Sequence, residues 1–514
     1  MIDGMAEVVA TPPIVAPLPV RRWRADDLIK AFFGSNALIA VVVLGLITIF
    51  LFREGFGFFG QNLRNIRLYR RAGLEYVDII RDAANAHAAL SRGLNLVQKS
   101  AQSTESADTL AQFDQFSAAF SDSADNLNGL VSDAGEKAVT LRDALALRAG
   151  DTDHATESGE STEAAPVDEA ATIAALRTNT DAFATASAAV TTTVRGLLST
   201  PPPFQTAKAK RAFERWTKKV DSYLAGLPAT TEKLRAWNPD SPVPAYRAVT
   251  GFLFGREWMT ASFWQDWYGI IPLLVGSLMV SIVALALAVP FGVASAIYVS
   301  EVASPAEKRL IKPYVEFIAA IPSVVLGFFG IAVVGETVRQ LSQSRFLHWV
   351  GFFPISERLN IFTAGSLLAL MAVPTIFTLA EDALRNVPRG FVEASYALGG
   401  NRLQTIGRVI VPASLSGIVS AVLLGFGRVV GETMVVLLCA GNRIAIPDFT
   451  QGLGAFFQPV HTMTGIIAQE MGEVVRGGIH YRALFMVGLV LFAITLATNY
   501  CAQKLVRRYR MAIG

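Results

Sequence analysis

The sequence predicts an all-α, polytopic membrane protein with six transmembrane helices and an extracytoplasmic helical bundle inserted after the first. Three observations carry that expectation. The chain has 514 residues, 52% of them hydrophobic and only 17% charged, with a mean hydropathy of +0.41. That balance suits an integral membrane protein better than a soluble enzyme. Six runs are nearly free of charge and long enough for the ~20 apolar residues of a spanning helix: 31–52, 267–300, 317–335, 359–380, 409–442 and 483–503. Between the first two lies 53–266, where apolar residues recur at helical spacing instead.

In chain order, residues 1–30 form an N-terminal tail and 31–52 the first span. This span is too long for the apolar core of a signal peptide, and no small-x-small pattern ends it, so it is expected to be retained. In the insert 53–266, Leu90, Leu94 and Val97 share one helical stripe, as do Phe113, Phe116, Phe120, Leu127 and Leu130. Ile173, Leu176, Phe183, Val190, Val194 and Leu197 form a third, and Phe213, Trp216, Val220 and Leu224 a fourth. The pattern predicts about four amphipathic helices in an elongated antiparallel bundle with these stripes as its core. The acidic, small-residue-rich stretch 149–169 reads as a flexible loop, and Pro201-Pro202-Pro203 as a stiff break. No catalytic constellation stands out in the insert.

Residues 267–514 contain the other five spans. Pro290, Pro322 and Pro374 are expected to kink the helices they fall in. The runs 267–300 and 409–442 exceed one span and must tilt, kink or extend past the bilayer. Orientation follows from basic residues. With the N-terminus inside, the inner segments hold Arg21, Arg22, Arg24, Lys30, Lys308, Arg309, Lys312, Arg385, Arg389, Arg402, Arg408, Lys504, Arg507, Arg508 and Arg510. The short outer loops hold only Arg339, Arg345, Arg358, Arg443, Arg476 and Arg482. Fifteen against six predicts both termini in the cytoplasm, hence an inner-membrane protein with 53–266 outside.

Several functions are disfavoured. A net charge of +3 gives no footprint for nucleic acid. Cys439 and Cys501 both lie in apolar runs, which argues against a structural disulfide or a cysteine metal site. The five histidines show no ligand spacing, so no metal site is expected. A Gly-x-x-x-x-Gly-Lys-Ser/Thr phosphate loop is missing, so the chain has no such device for binding ATP.

The run 409–442 is interrupted by two charges, in Gly427-Arg428-Val429-Val430-Gly431-Glu432-Thr433-Met434. A charge inside a span costs at least about 2.5–3.5 kcal/mol and usually lines a bundle interior or an aqueous path. Arg428 and Glu432 are four apart, which predicts one helical face. A structural ion pair tying this helix to a neighbour is the competing reading.

Just upstream, the loop 381–412 contains Glu393-Ala394-Ser395, Gly399, then Val409-Ile410-Val411-Pro412. It resembles the EAA loop of binding-protein-dependent ABC importer permeases: Glu-Ala-Ala, three residues, Gly, nine residues, then Ile-x-Leu-Pro. Ser395 replaces an Ala, Val409 the Ile and Val411 the Leu, while Glu393, Ala394, Gly399 and Pro412 keep their places. Phe317-Ile318-Ala319-Ala320-Ile321-Pro322-Ser323-Val324 is similar to the Ala-x-Ile-Pro-Ser segment of phosphate permeases. The stretch Gly427 to Met434 is similar to their Gly-Arg-Ala-x-Gly-Glu-Thr-Met. The resemblance, to the PstC-type permeases of phosphate importers, covers 267–514; the insert departs from that compact pattern.

That resemblance implies a permease core working by alternating access, with no ATPase activity of its own. It implies Arg428, Glu432 and Ser323 in the substrate path, and Glu393, Ala394, Gly399 and Pro412 in ATPase coupling. Its implied partners are inorganic phosphate, a PstA-like second permease subunit, a dimer of ATPase subunits that bind ATP and Mg, an extracytoplasmic phosphate-binding protein and the lipid bilayer. A permease for molybdate or sulfate would share the EAA loop. A membrane sensor using 53–266 as its input domain would need a cytoplasmic output domain, and no inner segment is long enough for one.

Overall fold

The computed structural model describes residues 25–101, 105–148, 167–260, 262, 264–344, 346, 353–355 and 357–510. Most of the N-terminal tail and most of the acidic loop 149–169 lie outside the described residues. Contacts divide the chain into two units, Met1–Arg53 and Glu54–Gly514. In the first, α1 (Ala25–Arg71) begins as a helix with exposed apolar side chains, Ile39, Leu44, Leu46 and Ile49 among them. The sequence run ends at 52, yet α1 continues as one helix to Arg71 because nothing between Arg53 and Arg71 breaks it.

In the second unit, α2 (Leu74–Ala101), α3 (Ala107–Asp122), α4 (Asp125–Arg148), α5 (Glu169–Ser199) and α6 (Ala207–Ala236) make a bundle with four antiparallel legs. The pairings fix the directions. α2 leads out, and α3 returns beside it, with Gln98 on Asp114 and His87 on Phe120. α4 continues inward, α5 leads out again from the Arg71–Glu169 pair, and α6 returns until Trp237 meets Tyr76. Five helices stand where four were expected, because the second leg breaks at Ser123–Ala124 and separates Phe120 from Leu127. The predicted stripes form the core: Phe113, Phe120, Phe183, Leu127, Leu176 and Val220 are buried together. Burying each such side chain contributes about 1.5–3 kcal/mol relative to exposure. Ser106 and Asp168 cap α3 and α5. Thr206 makes no side-chain cap for α6; instead Glu105 accepts from the backbone of Gln205 and Thr206.

After the bundle come α7 (Tyr246–Phe254) and a short antiparallel hairpin of β1 (Trp258–Met259) and β2 (Trp267–Tyr268). The hairpin fastens the bundle to the core. Trp267 packs edge-on against Tyr69, and Arg142 donates to the Trp264 carbonyl at 2.7 Å.

The core comprises α8 (Ile271–Ile297), α9 (Pro305–Ala320), α10 (Ser323–Phe329), α11 (Gly335–Ser342), α12 (Ile361–Arg385), α13 (Arg389–Ala397), α14 (Arg402–Thr405), α15 (Val411–Gly431), α16 (Met434–Cys439), α17 (Met463–Glu470) and α18 (Ile479–Arg510). Among the described residues, six helical stretches are long and apolar enough to cross a membrane: Phe32–Arg71, Ile271–Val302, Ser323–Ser342, Ile361–Arg385, Arg402–Gly431 and Ile479–Lys504. α12 is the most buried, packed between α8 and α15, and α18 lies against α15.

Two runs are divided differently from the sequence expectation. The run 317–335 is not one helix. α9 ends at Ala320, Ile321 and Pro322 are extended, and a new helix starts at Ser323, so Pro322 terminates rather than kinks. The run 409–442 is not continuous either. Its helix begins at Arg402, widens to π geometry over Ile406–Ile410 and ends at Gly431. Pro290 and Pro374 do lie inside α8 and α12.

Candidate functional site: a broken membrane helix and an exposed cytoplasmic-type loop

Arg428 stands in the last turn of α15. The helix stops at Gly431, and Glu432 takes an extended conformation at φ −73°, ψ 132°. Arg428 and Glu432 therefore do not share a helical face, contrary to the expectation from their spacing. No ion pair joins them among the described residues. Each has its own partners. Arg428 Nη1 donates to Thr375 Oγ1 of α12 at 3.4 Å. The Glu432 carboxylate accepts the Met434 amide at 3.2 Å at the start of α16, and its carbonyl accepts the Thr464 hydroxyl at 2.9 Å.

The break is braced from behind. Thr462 caps α17, and the Met463 amide donates to Ser277 Oγ of α8 at 2.9 Å. Buried His461 accepts the Thr462 amide on Nδ1 and meets Gln469 through Nε2 at 3.1 Å. From the other side α10 leans on α16 through its glycines. A Cβ on Gly330 would lie 2.2 Å from Leu367 Cδ1 and 2.5 Å from Cys439 Sγ, so only glycine fits this contact. Ser323 opens α10, half-buried, and no hydrogen bond links it to Arg428 or Glu432 among the described residues. The structure thus joins Arg428 to Thr375 and Glu432 to Thr464. Only the adjacent Pro374 marks Thr375 in the sequence, and nothing there marks Thr464.

Position decides the meaning of Arg428. Thr375 lies fourteen residues, about 21 Å, from the start of α12 and six residues, about 9 Å, from the charged Glu381 near its other end. Its partner Arg428 therefore lies alongside the apolar run of α12, and it is exposed on the surface of the chain. A guanidinium facing hydrocarbon there is strongly disfavoured. This face must meet water or another polypeptide.

At the far end of α12, the loop expected to couple folds as two short helices. α13 carries Glu393 and Ala394, both exposed. Gly399 follows with φ +80°, the left-handed conformation that glycine takes after a helix, and separates α13 from α14. Asn401 and Gln404 form a capping box on α14, and Ser395 Oγ meets Thr405 Oγ1 at 2.8 Å across the turn. Pro412 lies inside the continuous helix Arg402–Gly431, directly after the π-helical Ile406–Ile410. The loop presents a contiguous apolar surface, with Leu398 90% and Leu403 76% exposed. Beneath it, Lys312 of α9 meets the buried Glu381 of α12 at 2.6 Å, and Arg385 reaches the same oxygen at 3.5 Å. The backbone and hydroxyl of Ser304, with the Tyr298 hydroxyl, hold the Glu307 carboxyl at the start of α9 below the usual carboxylate range.

Residues 288–511 match the family described as binding-protein-dependent transport system inner membrane component. The probable ABC transporter permease protein YqgH of Bacillus subtilis is 33% identical over 46% of this chain and 72% of its own length. The phosphate transport system permease protein PstC of Pasteurella multocida is 31% identical over 51% of this chain and 81% of its own. PstC of Haemophilus influenzae is likewise 31% identical, over 51% and 84%. This chain is the longer one in each comparison. A core of spanning helices, a helix-turn-helix loop before the penultimate span and these matches agree: the chain belongs to the family of binding-protein-dependent transport system inner membrane components, multi-pass transporter subunits rather than catalytic enzymes.

Proposed function

We propose that this chain is the permease subunit of an ATP-driven importer of inorganic phosphate, and that it forms half of the path by alternating access. The observation that carries the proposal is Arg428, an exposed cation beside the apolar run of α12. A guanidinium offers a rigid fork of donors suited to phosphate oxygens. The relatives named phosphate transport permeases support the choice of anion. Glu432, half-exposed one step past the helix end, supplies an acceptor for the proton that phosphate keeps at neutral pH and sulfate lacks. Ser323, the first residue of α10, is assigned to the same path on the resemblance of its Ala-x-Ile-Pro-Ser segment.

The other half of the path belongs to a second, PstA-like permease subunit covering the Arg428 face. An extracytoplasmic phosphate-binding protein delivers the ion. ATP and Mg are bound by a dimer of ATPase subunits, which dock on the exposed surface of Glu393, Ala394 and Leu398 around Gly399, with Pro412 in the helix that carries the motion. Both termini face the cytoplasm and the bundle faces outside. An impermeant thiol reagent should label a cysteine at the exposed Gly129 on intact cells; labelling only after permeabilisation would reverse the orientation.

The complex reconstituted in liposomes tests the path. Arg428→Lys keeps the charge and loses the fork. Glu432→Gln keeps an acceptor for the Met434 amide and loses the charge. Both should slow phosphate uptake while the complex stays assembled. Normal uptake in both, with only assembly or thermal stability changed, removes the assignment.

A further inference from the structure

We infer that Thr375 is a second contact for the transported anion, and that its hydroxyl and the Arg428 guanidinium form one oxyanion subsite between α12 and α15. The inference rests on the phosphate reading above and adds a residue to it. Three observations carry it.

The first is the direction of the Thr375 hydroxyl. A threonine inside a helix ordinarily turns its hydroxyl back onto the carbonyl four residues earlier. Thr378 does so onto Pro374 at 2.9 Å, Thr495 onto Leu491 at 2.9 Å and Thr498 onto Ile494 at 2.8 Å. Thr375 does not. Its oxygen accepts from Arg428, and the described hydrogen bonds contain no acceptor for its own proton. A hydroxyl that accepts from a cation and has a free proton is a donor awaiting a partner.

The second is placement. Thr375 is half-buried and Arg428 exposed, each within a stretch long and apolar enough to span a membrane. An unused donor in such a stretch is costly unless something fills it. Two donors 3.4 Å apart, one charged and one neutral, suit two oxygens of a tetrahedral anion.

The third is rigidity. Thr375 follows Pro374, and Ile376 next to it is fully buried against Gly425 of α15, where a Cβ would lie 2.7 Å from Ile376 Cγ1. Close packing at 376 and 425 holds the two helices together one turn before Arg428. The pair is held in place before any anion arrives, as a binding site requires.

The test is phosphate uptake by the reconstituted transporter with Thr375→Val and Thr375→Ser. Valine keeps the shape and removes the hydroxyl; serine restores it. Losing one hydrogen bond to a charged group should raise KM for phosphate about ten-fold or more in Thr375→Val. Thr375→Ser should bring KM back to within about two-fold of wild type, and thermal stability should be the same in all three. Competition by sulfate should strengthen in Thr375→Val relative to phosphate. A KM unchanged by valine overturns the inference, as does a KM that valine and serine raise alike. A loss of thermal stability without a change in KM makes Thr375 a packing residue and also overturns it. A wild-type complex that imports no phosphate sinks the phosphate reading itself, and the Thr375 assignment with it.

Discussion

Gly399 offers a way to separate the shape of the coupling turn from what docks on it. Its φ of +80° is one that an L side chain adopts at a cost of about 1–2 kcal/mol. A Cβ added there would meet nothing within 4 Å, so that cost is the whole local penalty for alanine. It corresponds to a factor of about 5–30 in the population of the turn. The turn is held by its neighbours, Leu398 N to Ala394 O at 3.1 Å, Gly399 N to Tyr396 O at 3.0 Å and Gly400 N to Ser395 O at 3.0 Å. Asparagine tolerates the left-handed region better than other side chains and should preserve the turn. Tryptophan carries the same backbone cost as alanine and adds an indole beside the exposed Leu398. The comparison of tryptophan with alanine therefore isolates docking from folding. In proteoliposomes containing the full complex, ATP hydrolysed per phosphate imported is the readout. Gly399→Asn should match wild type. Gly399→Ala should slow both activities and keep their ratio. Gly399→Trp should raise the ratio several-fold with the protein still inserted. A tryptophan variant with the alanine variant's ratio would refute the argument that this turn is the docking surface.

Three further perturbations follow from ionisable groups. Lys312→Met leaves the buried Glu381 carboxylate with only Arg385 at 3.5 Å, and breaking a buried pair typically costs about 3–5 kcal/mol; a fall in thermal stability that Lys312→Met/Glu381→Leu partly reverses is expected, and equal losses in both variants would contradict it. Glu105→Ala should fray the first turn of α6, and amide exchange at 205–208 should rise; hydrogen bonds from Thr206 and Gln205 hold the Glu105 carboxyl below its ordinary value, so this protection is present above the unfolded pKa near 4.3 and is lost as pH falls through the folded value. His87 is stacked on Phe120 with Nδ1 unpartnered, and burial lowers its pKa, so the unfolded bundle binds more protons below about pH 6.5. Stability should fall with pH from there until the folded pKa is passed, by no more than about 1.4 kcal/mol per pH unit, and amide exchange in α3 of His87→Phe should lose that dependence.

What the sequence made legible follows the strength of local signals. The stripe Phe113, Phe116, Phe120 could only be a core face, and it is buried against Trp216 and Phe213. Gly399 was readable as a turn because a glycine after a short helical segment has few other uses. Spacing misled at Arg428 and Glu432. A separation of four implies one face only if the helix continues, and Gly431 ends it because Glu432 is held by α17 through Thr464. That contact spans 32 residues and leaves no local trace. The break between Phe120 and Leu127 has both kinds of support, the Ser123 hydroxyl donating to the Phe120 carbonyl from close in sequence and His87, from another helix, meeting the same carbonyl. Thr375 was invisible because its significance lies in a hydrogen bond it does not make within its own helix.

The two helix breaks explain one another. Extended backbone inside a membrane is tolerated only where it is buried in protein or lines a wet cavity. α9 stops at Ala320 and α10 starts at Ser323; α15 stops at Gly431 and α16 starts at Met434. The segments after the two breaks pack on each other, Gly327 against Leu438, with Cys439 Sγ donating to the Gly327 carbonyl at 3.3 Å. Near Glu432 the freed groups are satisfied: its amide by Val429, its carbonyl by Thr464, and the Met434 amide by its own carboxylate. The contact with the Met434 amide needs only an acceptor oxygen, which glutamine would supply. A carboxylate carries a charge that this contact does not require, in a layer where charge is costly. The excess of charge over structural need falls on the same stretch as the exposed Arg428. Structure alone accounts for an acceptor at 432 and for a helix end at 431; the charges are what the proposed phosphate path would use.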